Sequence, residues 1–560
     1  MSHTAHFATV WEALADAHPD DPAVINGPTV RTWREFDDRA ARLAAAFLAA
    51  GVRPGDTVAI DLYNCNEYLE AFYAAVKIRA VPANVNYRYL DEELRQLLTQ
   101  AEARVVVHHA SLADRVAPAV ADLSELRLVV EVDDLEHRRP PATGTAAYEQ
   151  LLANNPPAER IERYPEDSFL SFTGGTTGLP KGVEYVIGNS INNTEVLGRL
   201  NLGIDDIDWS APPVERARQV RALHAPPVAL PASPMMHSTG LIMASLPVLT
   251  LGGTVVSLTS RHLDADELFQ AVAQHRPSSV SIVGDAFARP MLRALERAAS
   301  EGHPYDTASL VTITSAGVAW SGHVKEALLE HIPQVTLVDS CGSSEGATIG
   351  SQITRMGDRG STDRFTPFPG LRLLDGDGQD IPPTSDTVGM FLLPTNARGY
   401  RNDEERTARA FRTVDGTRFV SPGDWGRWNA DGTVTLIGRG TSTINTGGEK
   451  VFPEEVQQVI LRADGVEDCL VLGMPDERFG QRVVALVEPL AGHEIDPGQL
   501  AAFVRERLAG YKVPRAIVVA PVPRGPNGKP LFEDARRLID APPHAVRANP
   551  SARSRRAVSR

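Results

Sequence analysis

The stretch Ser171-Phe172-Thr173-Gly174-Gly175-Thr176-Thr177-Gly178-Leu179-Pro180-Lys181-Gly182-Val183 decides the fold. It concentrates glycines, threonines and one lysine in a single short segment. Glycine lets main-chain N–H groups turn inward with no Cβ in the way, threonine hydroxyls donate to phosphate oxygens, and lysine adds a mobile positive charge. This composition predicts a loop that binds the phosphates of an ATP-like nucleotide.

The loop differs from the P-loop of kinases and G proteins, which needs Gly-Lys followed by Ser or Thr, because Lys181 lies between Pro180 and Gly182. The string resembles instead the adenylate-forming superfamily, which includes acyl-CoA synthetases, adenylation domains of peptide synthetases and firefly luciferase. The family pattern is Thr-Ser-Gly-Thr-Thr-Gly-x-Pro-Lys-Gly. Gly174 stands at the serine position, so one phosphate-contacting hydroxyl is missing. A Gly/Thr-rich surface turn is the alternative interpretation of this motif taken alone.

Further segments match the same superfamily in the same order, so the resemblance covers nearly the whole chain. They are residues 234–240, 339–345, 421–426, 438–456 and 523–529. In the first, His237 and Gly240 correspond to the histidine and glycine of the family pattern Pro-x-x-His-x-x-Gly, which lies beside the acyl pocket. A buried core histidine is the alternative interpretation of His237.

The second segment, residues 339–345, is similar to Tyr-Gly-x-Thr-Glu and has Glu345 at the position of the Mg²⁺-binding glutamate. A cation that bridges ATP phosphates takes one or two carboxylates plus phosphate oxygens, so one acid suffices. Cys341 replaces an aromatic residue that often lies against adenine, and Ser344 replaces threonine.

The other three segments resemble the ribose, hinge and lysine motifs. Asp424 corresponds to the aspartate that accepts hydrogen bonds from both ribose hydroxyls. Arg439 corresponds to an arginine that contacts ribose or phosphate, and Thr441 stands at the hinge, where Asp or Lys is common. Lys529 corresponds to a lysine whose ammonium bridges the substrate carboxylate and the α-phosphate.

The resemblance implies a complete set of site residues. The implied catalytic residues are Lys529, Glu345, His237 and Thr173. The implied ATP-binding and AMP-binding residues are Thr173, Gly174, Gly175, Thr176, Thr177, Gly178, Lys181, Ser315, Gly317, Asp339, Ser340, Cys341, Gly342, Ser344, Asp424, Arg439 and Lys529. The implied residues of the CoA and acyl pocket are His237, Gly240, Gly447, Gly448 and Lys450, and the implied metal ligands are Glu345 and Thr176. For the turn at Ser315 and Gly317, an ordinary strand-end turn fits equally well.

Composition narrows the class of protein. A chain of 560 residues with 42% hydrophobic residues exceeds one ordinary core, so two or more domains are expected. The net charge of −15 argues against nucleic acid as a partner, because a phosphate backbone demands a basic face. Three scattered cysteines show no metal or disulfide spacing, which favours a reducing, cytoplasmic location.

The sequence gives no sign of a signal peptide or a membrane span. Residues 1–21 lack the basic region of a signal peptide. Residues 241–258 are apolar but broken by Pro247 and two glycines, so we expect a buried strand-turn-strand there and no membrane span.

The order of patterns predicts an α/β protein. Helical and strand patterns alternate through a large N-terminal body of several subdomains, expected over residues 1–437, and favour parallel layers. A small, mobile α+β domain is expected over residues 438–540. Residues 541–560 contain five arginines and no acid and are expected to be a disordered basic tail, with a membrane-surface or partner role as the alternative. The Pro- and Arg-rich residues 205–227 fit either a pocket lid or a surface insertion.

The resemblance implies an ATP- and Mg²⁺-dependent acid–thiol ligase. It would activate a carboxylic acid as acyl-AMP, release pyrophosphate and transfer the acyl group to CoA. Residues 235–243 carry no acidic side chain to balance an amino-acid ammonium, which favours a plain carboxylic acid. The sequences of residues 173–175 and 444–456 resemble fatty-acyl and steroid-side-chain CoA ligases more than acetyl or aryl ligases, which favours a medium-chain, long-chain or polycyclic acid. A carrier-protein acceptor, a catalytically silent nucleotide-binding protein, peripheral membrane contact and a homodimer all remain compatible with the sequence.

Overall fold

The computed structural model describes residues 5–134, 144–174, 180–439, 444–446, 449–476, 480–508, 510–525 and 530–540. These residues form two compact units. The first comprises the described residues of Met1–Arg372 and Leu392–Pro422, and the second those of Leu373–Phe391 and Gly423–Arg560. Contacts thus assign Gly423 and the described residues after it to the second unit, whereas the sequence predicts that the C-terminal domain begins at residue 438, with a hinge at Thr441. Since a hinge is a property of motion, the boundaries at residues 437 and 540 stay predictions, and the predicted tail lies outside the described residues.

The secondary structure alternates as the sequence indicates. The helices are α1 Phe7–Ala17, α2 Trp33–Ala49, α3 Asn66–Lys77, α4 Asp91–Gln100, α5 Ala113–Val120, α6 Tyr148–Asn154, α7 Ile187–Asn192, α8 Thr194–Leu202, α9 Pro213–Leu223, α10 Leu246–Thr250, α11 Ala265–His275, α12 Gly284–Ser300, α13 Gly322–His331, α14 Glu404–Ala410, α15 Pro453–Ile460, α16 Pro497–Arg505 and α17 Phe532–Asp540. The strands are β1 Pro22–Asn26, β2 Thr29–Thr32, β3 Thr57–Asp61, β4 Val81–Asn84, β5 Ala103–His109, β6 Leu128–Val132, β7 Ala146–Ala147, β8 Ser168–Gly174, β9 Pro180–Val186, β10 Val228–Pro231, β11 Thr254–Ser257, β12 Ser279–Ile282, β13 Thr312–Ala316, β14 Thr336–Ser343, β15 Ala347–Thr354, β16 Arg364–Pro367, β17 Arg372–Leu374, β18 Gly389–Pro394, β19 Ala397–Tyr400, β20 Phe411–Val414, β21 Thr417–Val420, β22 Asp424–Trp428, β23 Val434–Arg439, β24 Ile444–Thr446, β25 Glu449–Val451, β26 Val466–Asp476, β27 Gly480–Pro489 and β28 Ala516–Val519.

Two large sheets organise the first unit. One has the strand order β2-β1-β11-β10-β12-β13-β14-β15-β16, and its strands from β1 to β14 are parallel. The other has the order β19-β9-β8-β4-β3-β5-β6-β7 and is parallel from β8 to β7. Helices cover such parallel strands on both faces, which is why β3 is buried along its whole length.

Local signals in the sequence explain several helix boundaries. Helix α2 begins at Trp33 because Thr32 caps it and Glu35 returns a hydrogen bond to the Thr32 backbone, forming a capping box. Helix α12 begins at Gly284 and continues through Pro290. Apolar side chains at helical spacing, Phe287 and Met291 among them, keep one face of α12 in the core of the first sheet.

The strand-turn-strand prediction for residues 241–258 is wrong in its first half. Thr239–Ser245 form a π-helical turn, α10 follows, and extended structure begins only at β11. Pro247 does not break this helix because it lies in the first turn of α10, where its missing N–H costs no hydrogen bond. The segment is buried on nearly all sides, so it carries no periodicity that separates helix from strand. Among the described residues, no helix is both long and apolar enough to cross a membrane.

The second unit contains the order helix, strand, strand, helix as α15, β26, β27 and α16, which is an α+β arrangement. Strands β26 and β27 are antiparallel, with β24 and β28 paired to β27 and β25 to β24. Apolar side chains from one face of these strands and from α15 and α16 form a core that includes Ile444, Val456 and Leu500. Strands β22 and β23 and the first residues of β18 form a further antiparallel group in this unit.

Candidate active site

The phosphate-loop sequence forms the end of a β-hairpin in the first unit. Strands β8 and β9 are antiparallel, with Thr173 opposite Lys181 and Gly174 opposite Pro180. The register therefore places the first threonine and the lysine of the motif side by side at the base of the loop. Gly175, Thr176, Thr177 and Gly178 lie outside the described residues, so their assignments stay predictions.

Lys181 points to the predicted metal-binding glutamate. Its Nζ lies 3.8 Å from Oε1 of Glu345, whose side chain is only 8% exposed. The Tyr400 hydroxyl donates to the same Oε1 at 2.7 Å, and the Lys181 ammonium lies 5.5 Å from the Tyr400 ring centroid. Burial raises the pKa of Tyr400, and the neighbouring Glu345 carboxylate raises it further, so the phenol stays a donor. We call Lys181, Glu345 and Tyr400 the Glu345 cluster.

The backbone around Glu345 is held on both sides. Thr395 Oγ1 donates to the Glu345 carbonyl at 2.5 Å, and the Tyr185 hydroxyl donates to the Ser344 carbonyl at 2.8 Å. Gly346 has a φ of +72°, and a Cβ at this position would lie 2.8 Å from the Tyr185 ring. The turn between β14 and β15 therefore requires glycine after the glutamate and presents Glu345 in one orientation.

The donor set of this cluster fits Mg²⁺ that is shared with phosphates. Mg²⁺ is usually held by one or two carboxylates together with substrate phosphates and waters. Glu345 supplies one buried carboxylate, and no group of three or more His, Cys, Asp or Glu side chains suited to a metal occurs in the part of the chain that the structure describes. A metal bound by Glu345 would therefore take phosphate oxygens among its remaining ligands. The second predicted ligand, Thr176, lies outside the described residues.

The predicted adenine-lining residues lie together at the carboxyl ends of β13 and β14. Ser315 is opposite Asp339 and Ala316 is opposite Ser340, with Gly317 directly after β13. Carboxyl ends of parallel strands are where α/β proteins bind ligands. Cys341, whose side chain is half-buried, and Gly342 continue β14 into the turn that carries Ser344 and Glu345.

Two of these side chains form hydrogen bonds with other parts of the protein. The Gly284 N–H donates to Ser315 Oγ at 2.8 Å, which joins β13 to the start of α12. Lys325 Nζ donates to Asp339 Oδ2 at 2.7 Å, and both side chains are buried. Burial raises the pKa of Asp339, and the Lys325 ammonium opposes that rise. In this structure, Ser315 and Asp339 shape the strand ends.

His237 lies on the loop that leaves β10. Strand β11 lies on one side of β10 and β12 on the other, so the strand order reverses here, as it does at ligand crevices of α/β sheets. A Cβ at Gly240 would lie 2.5 Å from the Pro234 carbonyl oxygen, so the motif glycine permits a close backbone crossing. Met235 and Met236 are fully buried, and Met236 packs in the core beside β8.

Asp424 and Arg439 belong to the second unit. They are cross-strand partners at the start of β22 and the end of β23, and Asp424 is 6% exposed. Lys450 lies on β25 opposite Asn445. Thr441, Gly447, Gly448 and Lys529 lie outside the described residues, so the hinge, thiol-tunnel and C-terminal lysine assignments stay predictions.

Sequence reasoning missed the phenols and the buried lysine of this site. Tyr400, Tyr185 and Lys325 each contact a predicted residue or its neighbour, yet none lies in a segment that the motifs single out. Tyr400 follows a glycine at the end of β19, which by itself indicates only a strand end. No local signal in one sequence could have found them.

Known proteins and family models are similar to this chain over most of its length. Residues 11–400 match the family described as AMP-binding enzyme, and residues 455–529 match the AMP-binding enzyme C-terminal domain. A protein of Mycobacterium tuberculosis (strain CDC 1551 / Oshkosh), named medium/long-chain-fatty-acid–CoA/3-oxocholest-4-en-26-oate–CoA ligase, is 35% identical over 552 residues, which cover 97% of this chain and 98% of that protein. The 3-oxocholest-4-en-26-oate–CoA ligase of Rhodococcus rhodochrous is 36% identical over 538 residues, covering 95% of each chain.

A solved structure extends the comparison to the fold. The anthranilate CoA ligase AuaEII, in complex with anthranoyl-AMP, superposes with a TM-score of 0.79 at 20% identity and covers 95% of this chain and 96% of its own. The order of motifs, the two units, the family matches and these relatives agree over nearly the whole length. The chain belongs to the AMP-binding enzyme family and has its adenylate-forming fold.

Proposed function

We propose that this protein is an AMP-forming acyl-CoA synthetase whose substrates are medium-chain, long-chain or steroid-side-chain carboxylic acids. The observation that carries the proposal is the Glu345 cluster, in which a buried carboxylate faces the lysine of the phosphate hairpin at 3.8 Å. A nucleotide-binding fold needs the lysine to hold phosphate. The buried acid beside it can hold a metal that stabilises phosphate charge during transfer.

In the first half-reaction, a carboxylate oxygen of the acid attacks the α-phosphorus of ATP, and pyrophosphate leaves. Lys181 at the base of the hairpin compensates negative charge on the phosphates, with Thr173 beside it as a hydroxyl donor. Bound Mg²⁺ would neutralise phosphate charge next to Glu345. Tyr400 keeps the Glu345 carboxylate in position. Catalysis of this kind consists mainly of positioning and charge stabilisation.

The remaining assignments follow the family pattern and are part of the proposal. Asp424 would accept hydrogen bonds from the ribose hydroxyls, with Arg439 next to it across the strands. Lys529 would bridge the carboxylate and the α-phosphate in the first step. For the second step, the domain of residues 438–540 would turn about Thr441 and bring residues 447–448 to the path of the CoA thiol, which attacks the acyl carbon and displaces AMP.

The substrate class is supported by the relatives and by the site. Both relatives described above carry names that specify a fatty-acyl or steroid-acid CoA ligase. The His237 loop has no acidic side chain between residues 235 and 243 that could balance an amino-acid ammonium. We further propose a cytoplasmic location, since that compartment supplies both ATP and CoA. A carrier-protein acceptor remains the second candidate for the thiol.

ATP–pyrophosphate exchange against fatty, aryl, steroid-side-chain and amino acids tests the proposal, with CoA then added to the active acids and the thioester followed by mass spectrometry. Exchange with fatty or steroid acids and formation of acyl-CoA are expected. Exchange without a CoA thioester would point to a carrier protein. ATP binding without exchange for any acid would overturn the enzymatic proposal.

A further inference from the structure

Asn84 connects two parts of the candidate site that the motifs treat separately. It is the last residue of β4 and is 6% exposed. The Phe172 N–H donates to Asn84 Oδ1, and Asn84 Nδ2 donates to the Phe172 carbonyl at 3.2 Å. The same Nδ2 also donates to the Met236 carbonyl. One side-chain amide thus holds both backbone groups of one segment and one backbone group of another.

The two segments are those that carry site residues. Phe172 directly precedes Thr173 on β8, and Met236 directly precedes His237 on the loop after β10. Strand β8 is the parallel neighbour of β4, with Ala83 opposite Leu170. Where β4 ends, the Asn84 amide takes over the pairing with β8, because a primary amide offers the same donor and acceptor as a peptide group.

We propose that Asn84 is a positioning residue that fixes the phosphate hairpin and the His237 loop at one separation. This inference rests on the proposed function, in which the hairpin holds ATP and the His237 loop lies beside the acid. In-line attack requires the carboxylate oxygen and the α-phosphorus to be held close and aligned, and a misplacement of about 1 Å costs about 100-fold in rate. A link between the two segments supplies that alignment before the substrates bind.

Asn64 provides a matched comparison within the same unit. Its Nδ2 donates to the carbonyls of Pro231 and Ser233, each at 3.0 Å, and the Met235 N–H donates to its Oδ1 at 2.7 Å. Asn64 therefore makes as many backbone hydrogen bonds as Asn84. They reach the last residue of β10 and the His237 loop that follows it, and none of them reaches β8. Comparing variants of the two residues therefore distinguishes the effect of holding one segment from the effect of joining two segments.

Three alanine variants test the inference: Asn84→Ala, Asn64→Ala and, as a distant control, Asn26→Ala. Asn26 donates to the carbonyls of Ser257 and Leu258 at 3.2 and 3.1 Å, so its loss also removes partly buried contacts with the backbone. In pyrophosphate exchange, Asn84→Ala is expected to lower kcat about 10- to 100-fold and to raise the KM for ATP as well as for the acid. Asn64→Ala should raise the KM for the acid alone, and Asn26→Ala should change neither.

Hydrogen exchange reports on the same contacts without turnover. In Asn84→Ala, peptides spanning β8 and residues 231–240 should both exchange faster, whereas in Asn64→Ala only the second should. Asn84→Ala with wild-type kinetic constants, or with faster exchange on one side only, would overturn the link. If the wild type catalysed no pyrophosphate exchange, the proposed function would fail, and the amide exchange would still decide whether Asn84 joins the two segments.

The variant Asn84→Asp covers the case in which the alanine variant does not fold. Aspartate keeps the size of the side chain and the acceptor for the Phe172 N–H, but its carboxylate has no N–H to donate to the carbonyl of Met236 or of Phe172. The link would lose its only hydrogen bond to the His237 side and one of its two hydrogen bonds to β8. We expect the KM for the acid to rise more than the KM for ATP. Wild-type values for both constants would contradict the inference.

Discussion

Replacing Tyr400 with phenylalanine removes one atom from the Glu345 cluster. The hydroxyl donates to Glu345 Oε1 at 2.7 Å in a buried setting. The phenylalanine ring keeps the volume and the face that Tyr400 presents to the Lys181 ammonium at 5.5 Å. The variant therefore leaves no cavity, and its effect reports on the hydrogen bond to the carboxylate.

The expected magnitude follows from the charge on the acceptor. A hydrogen bond to a charged group contributes about 1.5–3 kcal/mol, and about 1.4 kcal/mol corresponds to a tenfold change in an equilibrium constant. Without the phenol, Glu345 loses the contact that orients it, so Mg²⁺ should support the reaction about 10- to 100-fold less well at limiting metal. This agrees with the usual effect of removing a hydrogen bond from a metal-binding carboxylate.

The assay is ATP–pyrophosphate exchange titrated with Mg²⁺ at fixed ATP. Tyr185→Phe is the matched control, because the Tyr185 hydroxyl donates to the Ser344 carbonyl at 2.8 Å, so its hydrogen bond is to the backbone. Tyr400→Phe should move the Mg²⁺ midpoint to higher concentration, and Tyr185→Phe, which leaves the hydrogen bond to the Glu345 carboxylate in place, should move it less. A folded Tyr400→Phe protein with the wild-type Mg²⁺ midpoint would refute the role of the phenol.

Three further outcomes are expected. Lys181→Ala should raise the KM for ATP about 10- to 100-fold, because a charged donor to phosphate is lost; an unchanged KM in the exchange assay would remove Lys181 from the site. Lys325→Met should lower the free energy of unfolding by about 3–5 kcal/mol in urea titrations, since it leaves the Asp339 carboxylate buried without its 2.7 Å partner; a loss below 1 kcal/mol would contradict this. Burial lowers the pKa of His6 from 6.5 to about 3, so the folded protein binds fewer protons than the unfolded chain in that range and should lose stability as pH falls through it. His6→Asn keeps an acceptor for the Ala8 N–H at the start of α1 and should show a smaller loss between pH 6.5 and 4, measured by the urea midpoint; an identical pH dependence would assign the effect to other groups.

Much of the fold was predictable because its signals are local. The Thr32 and Glu35 capping box and the alternation of helix and strand patterns lie within short segments, and the helices and parallel strands of the first unit follow them. The prediction failed at residues 241–258, where burial on all sides removes the periodicity that separates helix from strand.

The candidate site was predictable to the extent that it is written in motifs. Lys181 and Glu345 were both expected from sequence, and the structure brings them to 3.8 Å. The contacts that orient them were not expected. Tyr400 reaches Glu345 across 55 residues of chain, and Asn84 reaches Met236 across 152. Neither pair leaves a pattern in a single sequence.

By itself, therefore, the sequence determined the family, the Gly/Thr-rich phosphate motif and the order of the site residues, because glycine content and the placement of hydroxyls and charges act over a few neighbouring residues. Only the tertiary structure decided which side chains meet. In the structure, Tyr400 donates a hydrogen bond to Glu345, Lys325 pairs with Asp339, and Asn84 donates to the carbonyls of Phe172 and Met236. The physical reason is that a buried polar group must find a partner, and that partner is supplied by whichever element packing brings within hydrogen-bond distance.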